Sequence, residues 1–428
     1  MLTIVYASLT YSSTARIMLQ LMNKHSSKKP AITFLFSDTG GGHRAAAEAI
    51  IEAIHAEYGD TMVTKMVDFF KDYAPLPLNY LPDLYPQMVK IPKLWGAFFD
   101  LSDGRSQASF MTSAFWPFVS TAARRLAYEH QNEVLVSVHP VVNFFALNAL
   151  GANHLHYITV VTDLVSTHAM WFDHRADMIF VPTEIARRRA LEYGMPSEKV
   201  CVAGKPVSNR FSNPSGDKRI LREKLGWPQD KFTVLLVGGG EGMGPLTGMA
   251  HAIDESDLDI AKVIIAGRNT RLEAKLKAVT WENPTYIYGF INNMPDFMRA
   301  ADVIVTKAGP GTIAEALIAG LPIILYAKLD GQENGNVDFV ENENLGVWAP
   351  DPAMLISTLR GWISQPYARE AVIENCRRAA RPDATRMIGH ILGARAGLVD
   401  LPQEMARDFI GDRSRRTFPR LRPNVKTT

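Results

Sequence analysis

A histidine at the end of a glycine-rich turn is the first residue in this sequence that could do chemistry. His43 closes the turn 37–43, between a predicted strand over residues 32–36 and a predicted helix over residues 44–56. A helix N-terminus carries a partial positive charge, which disfavours protonation of a nearby imidazole. Because a general base must be unprotonated, the pattern predicts His43 as a base beside a bound ligand. A tight turn with a capping histidine fits the same residues.

The same turn also fits the spacing of a dinucleotide-binding fingerprint. Gly40, Gly42 and Ala45 match that spacing, and Asp68 closes the next predicted strand. This alternative would make the turn a dehydrogenase-like cofactor site. The glycine motif alone has little specificity, so the second half of the chain has to decide between the two interpretations.

Four loops in the second half carry side chains suited to a nucleotide sugar, and each follows a predicted strand. They span residues 238–245, 266–269, 306–316 and 330–336. Glycine turns at a helix start suit a diphosphate, a carboxylate one turn later suits ribose hydroxyls, and amides read sugar hydroxyls. Any one of these loops also fits an ordinary turn. The succession of four such loops, each after a strand, favours a binding site for a nucleotide sugar. The residues singled out are Gly240, Arg268, Gly309, Gly311, Thr312, Glu315, Gln332, Glu333 and Asn336.

Parallel strands would bring these loops together, and the hydrophobic pattern predicts such strands throughout. Short apolar runs alternate with helix-period segments, which is typical of doubly wound α/β domains. In the first half, strands are predicted over residues 32–36, 64–67, 134–138, 157–162 and 178–181. In the second half, they are predicted over residues 232–237, 261–266, 285–288, 303–306 and 322–326.

We therefore predict an α/β protein with two Rossmann-like, doubly wound parallel-sheet domains that face each other across a cleft. The first spans residues 31–210 and the second residues 211–395, and residues 208–218 are rich in linker-type residues. In such sheets ligands bind beyond the carboxyl ends of the strands. Residues 1–30 are not assigned to either domain. Residues 396–428 form a basic tail, for which a disordered, solvated end is favoured and weak attraction to anionic lipid is the alternative.

Residues 72–118 interrupt the alternation of strands and helices. This segment is rich in proline and aromatic residues, and it is too apolar for a free loop. It fits either a hydrophobic lid over the first domain or a site for an apolar acceptor and a bilayer surface, and exposed apolar area favours the second. The candidate contacts are Tyr80, Leu84, Tyr85, Trp95 and Phe98.

Composition excludes several classes of protein. With 428 residues the chain suggests two or three domains, and a formal net charge of +2 gives no field that points to nucleic acid. The sequence contains no run of about 18 apolar residues, so no membrane-spanning helix is predicted. Cys201 and Cys376 have no metal-ligand spacing, so we predict two buried thiols in a reducing compartment.

Seven segments together give the sequence a resemblance to a known family, over residues 32–395. It resembles the inverting GT-B monogalactosyldiacylglycerol synthases and, more distantly, bacterial diacylglycerol glucosyltransferases and the peptidoglycan lipid-linked N-acetylglucosamine transferase. The segments are FSDTGGGHRAAAEAI, SVHP, VVTDLVSTHAMWF, VGGGEGMGPL, IAGRN, TKAGPGTIAEALIAGLPIIL and GQENGNVDFVEN. The first and sixth occur together, which is specific for the family, whereas glycine loops alone are not.

The resemblance implies transfer of galactose from UDP-galactose to 1,2-diacylglycerol at a membrane surface, with neither a cofactor nor a metal. His43 would be the base or the residue beside the attacking hydroxyl. Apart from the resemblance, Asp163 follows a predicted strand and fits either a residue that orients His43 or the acceptor hydroxyl, or a packing residue behind the site. Gly311, Thr312 and Glu315 would hold the diphosphate and ribose. The side chains expected to face the hexose are Gln332, Glu333 and Asn336. The implied location is cytoplasmic, peripheral on the inner face of the cell membrane.

Several alternatives stay open at this point. Residues 326–330 differ from the plant-type enzymes where the donor sugar is read, so a UDP-glucose-dependent diacylglycerol glucosyltransferase also fits. A UDP-N-acetylglucosamine 2-epimerase would share the architecture but needs no lipid, and a nucleotide or lipid sensor would have lost catalysis. Asp257 and Asp259 imitate a metal-binding motif but lie in a polar run that indicates a solvated face. Four further residues follow strands of the first domain and could hold a metal, although we favour a role for them in lining the acceptor side of the cleft. They are His139, Asp163, His168 and His174.

Overall fold

A computed structural model describes most of the chain. The described residues are 29–39, 41–88, 92–151, 156–213, 215–240, 242 and 244–398, without the side chains of residues 85–88, 92–94 and 98. The predicted basic tail and N-terminal segment fall almost wholly outside these ranges.

The first domain is built on a parallel sheet of six strands. Their order is β2-β1-β3-β4-β5-β6, so the direction of winding reverses between β1 and β3. Ligands bind where neighbouring connections leave such a sheet in opposite directions. The strands are β1 (Ala31–Phe36), β2 (Val63–Asp68), β3 (Val134–Ser137), β4 (His156–Val160), β5 (Met178–Val181) and β6 (Val200–Val202).

The second domain repeats this plan with its own six-stranded parallel sheet. The order is β12-β11-β10-β7-β8-β9, and the winding reverses between β7 and β10. The loops after β7 and β10 therefore flank the second crevice. The strands are β7 (Phe232–Val237), β8 (Ile260–Ile265), β9 (Thr285–Tyr288), β10 (Val303–Lys307), β11 (Ile323–Ala327) and β12 (Gly346–Trp348).

Helices cover both sheets. In the first half they are α1 (Gly42–Tyr58), α2 (Phe69–Asp72), α3 (Leu81–Met88), α4 (Pro92–Ser102), α5 (Arg105–Glu129), α6 (Pro140–Leu150) and α7 (Glu184–Glu192). In the second half they are α8 (Lys218–Leu225), α9 (Leu246–Asp254), α10 (Thr270–Lys277), α11 (Met294–Ala300), α12 (Pro310–Ala319), α13 (Asn334–Asn342), α14 (Pro352–Ser364), α15 (Pro366–Ala379) and α16 (Ala384–Arg395). Short 3-10 turns join several of these elements, at Gly59–Thr61, Leu78–Tyr80, Ala169–Trp171, Ser197–Lys199 and Asn209–Phe211.

The predicted α/β class and all ten predicted strands are confirmed. Each predicted strand begins and ends within two residues of the observed one. The pattern missed β6 and β12, which have three residues each, because so short a run shows no periodicity. The two cysteines are buried and unpaired, as predicted.

The last helix returns to the first domain. Ile388, Ile391 and Leu392 of α16 belong to the same buried cluster as Ile50 and Ile54 of α1. The predicted division assigned residues 384–395 to the second domain, and their packing corrects it. Apolar periodicity can indicate that a helix has a buried face, but it does not indicate which core that face joins.

The chain therefore crosses between the domains twice, and the two crossings are joined. Thr385 donates its hydroxyl to the Val207 carbonyl at 2.6 Å and accepts from the Val207 N–H at 3.0 Å. Gly204 has φ of 102°, and a Cβ there would stand 2.4 Å from the Cβ of Arg381. Only glycine fits so close a passage of two chain segments. We call residues 203–208 the first crossing and residues 380–385 the second crossing.

None of the helices in the described ranges combines the length and the apolar character needed to cross a bilayer. Several large apolar side chains between β2 and β3 are nevertheless exposed to solvent, namely Leu76, Tyr80, Leu84, Leu101, Phe110, Phe115 and Phe118.

Candidate active site

His43 lies at the switch point of the first sheet, where the turn after β1 enters α1. Its Nδ1 is 2.8 Å from the Val138 carbonyl oxygen. A carbonyl oxygen only accepts hydrogen bonds, so Nδ1 carries the hydrogen and the neutral ring keeps its lone pair on Nε2. The Thr162 hydroxyl is also 2.8 Å from Nδ1. The contact with the Val138 carbonyl, rather than the one with Thr162, therefore indicates the tautomer that a base needs.

The surroundings of His43 keep it neutral. Burial and, to a smaller extent, the positive charge of Lys205 together lower the pKa of His43 to about 4, although the hydrogen bond to Val138 partly opposes both. The ring of His139 lies beside it, with 4.6 Å between ring centroids. At pH 7 the imidazole is therefore unprotonated, as the helix-terminus argument predicts.

Asp163 does not orient His43, which corrects one of the two roles predicted for it. Its Oδ2 accepts a hydrogen bond from Nε1 of Trp171 at 2.6 Å. Burial raises the pKa of Asp163, while hydrogen bonds from Trp171 and Gln332 and the charge of Lys205 lower it. Val138 and Thr162 orient the histidine instead. Both lie just beyond the ends of β3 and β4, which was the signal that could have found Thr162.

The glycine turns of the two domains approach each other at Arg268. The Arg268 N–H donates to the Gly240 carbonyl at 2.8 Å, and its guanidinium lies over the Phe290 ring, 4.5 Å from the centroid. A Cβ on Gly240 would stand 3.3 Å from Nη1 of Arg268, and one on Gly41 would stand 3.9 Å from it. A cation thus reaches from the second domain to the turn that holds His43.

The N-terminus of α12 lies at the switch point of the second sheet. Gly309 caps the helix without any side-chain hydrogen bond, and Pro310 begins it, so first-turn N–H groups at Gly311 and Thr312 remain available to an anion. Glu315 follows one turn later. Its deep position raises the pKa of Glu315 to about 7, although the charge of Lys205 opposes the shift.

The predicted hexose-reading residues divide into two groups. The Oε1 of Glu333 accepts from Nζ of Lys307 at 2.5 Å, and Oε2 accepts from the Leu329 N–H at 2.9 Å, so both oxygens are engaged. Asn336 donates from Nδ2 to the Ala308 carbonyl at 2.8 Å. Within the described residues, the buried amide oxygens of Asn336 and Gln332 have no hydrogen-bond partner. Unpaired buried acceptors indicate a ligand that donates to them.

Comparison with known proteins assigns the chain to a family. Residues 43–207 match the family model for monogalactosyldiacylglycerol (MGDG) synthase, and residues 233–361 match that for the glycosyltransferase family 28 C-terminal domain. The probable chloroplastic MGDG synthase of Glycine max is 36% identical over 377 residues, which cover 85% of this chain and 71% of that protein. The chain belongs to the MGDG synthase family.

Solved structures agree with this membership at the level of the fold. Acinetobacter baumannii MurG superposes with a TM-score of 0.54 at 13% identity, covering 85% of this chain and 100% of its own. A putative UDP-N-acetylglucosamine 2-epimerase from Listeria monocytogenes gives 0.57 at 13% identity, covering 87% and 98%. The chain is thus a GT-B-type glycosyltransferase of the MGDG synthase family. That membership decides against the dinucleotide-binding and 2-epimerase interpretations.

Two lysines in this MGDG synthase family member were missed by the sequence analysis. Lys307 is the last residue of β10, and its ammonium is held by Glu333 beside Gly309. Lys205 follows β6 in the first crossing and is 5% exposed. Lys307 could have been found from its place at a strand end. Lys205 could not, because β6 itself was not predicted.

In this family member, the insertion between β2 and β3 contacts the loop 330–336, which was predicted to read the hexose. A Cβ on Gly96 in α4 would stand 2.8 Å from the Cβ of Asp330, and one on Gly331 would stand 3.1 Å from Cδ1 of Phe99. Of the predicted acceptor contacts, Tyr80 and Leu84 are 54% and 50% exposed, and Trp95 is partly buried. Tyr85 and Phe98 have side chains outside the described part.

The residues weighed as metal ligands do not gather in one place. Asp257 and Asp259 are exposed and pair with Arg360 and Lys231, which confirms a solvated face. His168 bonds Ser102 and the Met170 N–H. Across the described ranges, no three His, Cys, Asp or Glu side chains form a cluster with metal-ligand geometry.

The buried imidazole of His139 is expected to make the stability of the protein depend on pH. Burial and the charge of His43 lower the pKa of His139 well below 6.5. Below pH 6.5 the unfolded chain therefore binds a proton that the folded chain does not, and the native state loses stability as the pH falls. Between pH 7 and pH 5, we expect the free energy of unfolding of wild type to fall by up to about 2 kcal/mol relative to that of His139→Gln.

Urea unfolding of both proteins across this pH range measures the difference. Substitution of the exposed His55 by glutamine is the matched control. The difference in free energy of unfolding between wild type and this variant should stay constant over the pH range. A difference that stays constant for His139→Gln as well would contradict the buried neutral imidazole.

Proposed function

We propose that this protein transfers galactose from UDP-galactose to the free hydroxyl of 1,2-diacylglycerol, with inversion at the anomeric carbon. The observation that carries the proposal is the neutral His43 held by Val138 and Thr162, with its Nε2 lone pair available at the cleft. The relatives that are 36% identical to this chain over the aligned residues are described as MGDG synthases, which supports the choice of sugar and lipid.

The proposed reaction is a single displacement at the anomeric carbon. The hydroxyl oxygen of diacylglycerol forms a bond to that carbon while the bond from the carbon to the UDP oxygen breaks. The hydroxyl proton passes to Nε2 of His43, and UDP leaves with the electron pair of the broken bond. Because a hydroxyl is a weak nucleophile, removal of its proton as the bond forms lowers the barrier. An oxocarbenium-like transition state is expected, as in other glycosyl transfers.

The proposal includes no metal, because the protein's own groups suit the charge that develops on UDP. First-turn N–H groups of α12 face the anion, and the cations Lys205, Arg268 and Lys307 surround the same end of the cleft. Donors that are already in place stabilise a leaving diphosphate without reorganisation. Glu315 lies one turn further along α12, where it would accept hydrogen bonds from the ribose.

We further propose that the protein works while docked on the cytoplasmic, anionic face of the cell membrane. The exposed apolar side chains between β2 and β3 supply a surface that can insert among lipid head groups. This segment also contacts the loop that we propose reads the hexose, through Gly96 and Phe99. The acceptor would thus arrive beside the donor sugar.

One transfer assay tests the substrates, the stereochemistry and the metal together. The protein is incubated with UDP-galactose or UDP-glucose and vesicles of diacylglycerol with phosphatidylglycerol, and NMR of the purified glycolipid identifies the sugar and its anomeric configuration. We expect a β-galactosyl product in the presence of EDTA. A glucosyl product, an α-linkage or a metal requirement would each overturn the corresponding part of the proposal. Sugar-nucleotide turnover without any vesicles would indicate an epimerase.

A further inference from the structure

One buried cation at the domain junction has no role in the reaction described so far. Lys205 lies in the first crossing, and its Cε is 3.8 Å from where a Cβ on Gly311 would stand. Its side chain thus comes from the first domain and ends beside the first turn of α12 in the second. Within the described residues, Lys205 Nζ makes no hydrogen bond and no ion pair, although it is 95% buried.

This position is electrostatically costly without an anion. The N-terminus of α12 carries a partial positive charge, and a buried ammonium beside it adds a like charge. Asp163 and Glu315 are the carboxylates whose charge acts on Lys205, and burial still lowers its pKa to about 8. A buried charge is favourable only when it is paired, so the arrangement needs a negatively charged ligand between the ammonium and the helix.

The charges that act on one another along the cleft indicate which part of a nucleotide sugar this ligand is. The charge of Lys205 acts both on Glu315, in the second domain, and on His43, in the first. If Glu315 binds ribose and His43 faces the anomeric carbon, Lys205 lies between the nucleoside and the sugar. The group in that interval is the diphosphate, and its sugar-linked phosphate lies nearer the first domain.

We propose that Lys205 is a catalytic residue that donates a hydrogen bond to the sugar-linked phosphate of the donor and stabilises that phosphate as it leaves. The inference rests on the proposed function for the identity of the donor. The bond from the anomeric carbon to the phosphate oxygen breaks, the electron pair stays on that oxygen, and the ammonium keeps its proton. No other reactant is required.

The first crossing is held firmly enough for this role. Gly204 passes against Arg381, and Val207 is bonded at both its N–H and its carbonyl by Thr385. Lys205 is flanked by these two anchored residues, so its backbone is fixed before a ligand arrives. A cation that is already in place stabilises developing charge without first having to reorganise.

Binding of UDP, UMP and uridine to the full-length protein tests the assignment, because only UDP carries the second phosphate. For Lys205→Met we expect the Kd of UDP, measured by isothermal titration calorimetry, to rise on the order of 10- to 100-fold, the usual effect of losing a charged hydrogen bond. The Kd of UMP should rise less than about threefold, and that of uridine should not change. Lys205→Arg should retain most of the UDP affinity.

The controls separate a phosphate contact from a structural role. Lys275→Met removes an exposed lysine of α10 and should leave all three affinities unchanged. Lys205→Gln is measured in parallel, so that a folded variant without the charge is available if the methionine is not tolerated. Equal weakening of all three ligands, or unchanged UDP binding, would overturn the assignment.

These outcomes remain distinct from a failure of the proposed function. UDP binding requires neither lipid nor transfer, so a wild-type protein that binds UDP and makes no glycolipid would refute the function and leave the binding test valid. Where transfer is observed, kcat of Lys205→Arg should exceed that of Lys205→Met. Equal kcat values for the two variants would contradict a contact between the ammonium and the leaving phosphate.

Discussion

The His43→Ala variant is expected to lose transfer almost completely while it still binds UDP. The neutral imidazole is held by Val138 and Thr162 on Nδ1, so its Nε2 is the group available to take the acceptor proton. Removal of a general base lowers kcat by about 10²- to 10⁴-fold. UDP is held by the other domain in this proposal, so its Kd should change by less than about threefold. Initial rates on diacylglycerol vesicles and calorimetric titration with UDP measure the two quantities.

Free imidazole provides a sharper readout than loss of activity. A small base that diffuses into the space left by the ring should restore part of the rate of His43→Ala, and it should leave wild type unaffected. His55→Ala, at the exposed end of the same helix, is the control for an effect of α1 itself. Near-normal turnover in His43→Ala would remove the base from the mechanism.

The Gly267→Ala variant is expected to lose donor binding, because this glycine is where two donor loops meet. Its φ is 61°, and a Cβ there would stand 2.3 Å from the Gly240 carbonyl oxygen and 2.8 Å from that of Gly239. The glycine loop after β7 would have to move away, and Arg268 would lose its hydrogen bond to Gly240. We expect the Kd of UDP and the KM of UDP-galactose to rise more than about tenfold.

A second glycine separates the clash from the strained backbone. Gly226 has φ of 70°, and a Cβ there would meet nothing within 4 Å, so Gly226→Ala has the backbone strain without the collision. The strain costs about 1–2 kcal/mol of folding stability in each variant. UDP affinity should fall only in Gly267→Ala. A similar fall in both variants would mean that general destabilisation, rather than the loop contact, controls donor binding.

Sequence alone predicts much of this site because the parallel-sheet plan is local. Apolar runs of four to six residues mark ten of the strands, and the residues that follow β1, β7 and β10 are glycine-rich turns before helices. In a doubly wound sheet such turns meet at the switch points, so the loops of His43 and Gly311 could be assigned without coordinates. The His43 tautomer could not be assigned, because its partner is a backbone carbonyl and any residue type supplies one.

The predictions that failed depend on distant packing. Asp163 was a candidate partner of His43 because it follows a predicted strand of the first domain, yet Trp171 engages it. Lys205 was missed because a three-residue strand precedes it and leaves no periodic signal. Residues 384–395 were assigned to the wrong domain because an amphipathic helix records that it has a buried face and not which sheet covers that face.

The two joined crossings determine how the enzyme can open. Because the two chain segments are hydrogen-bonded side by side, at Val207 and Thr385, we expect them to act as a hinge with one favoured axis of rotation. Atoms near a pivot travel little, whereas the rim of the cleft, where α4 meets Asp330, sweeps through a long arc. Lys205 lies in the first crossing, close to this axis. We therefore expect its side chain to stay beside the first turn of α12 when the cleft opens, so that UDP would remain bound while the glycolipid leaves.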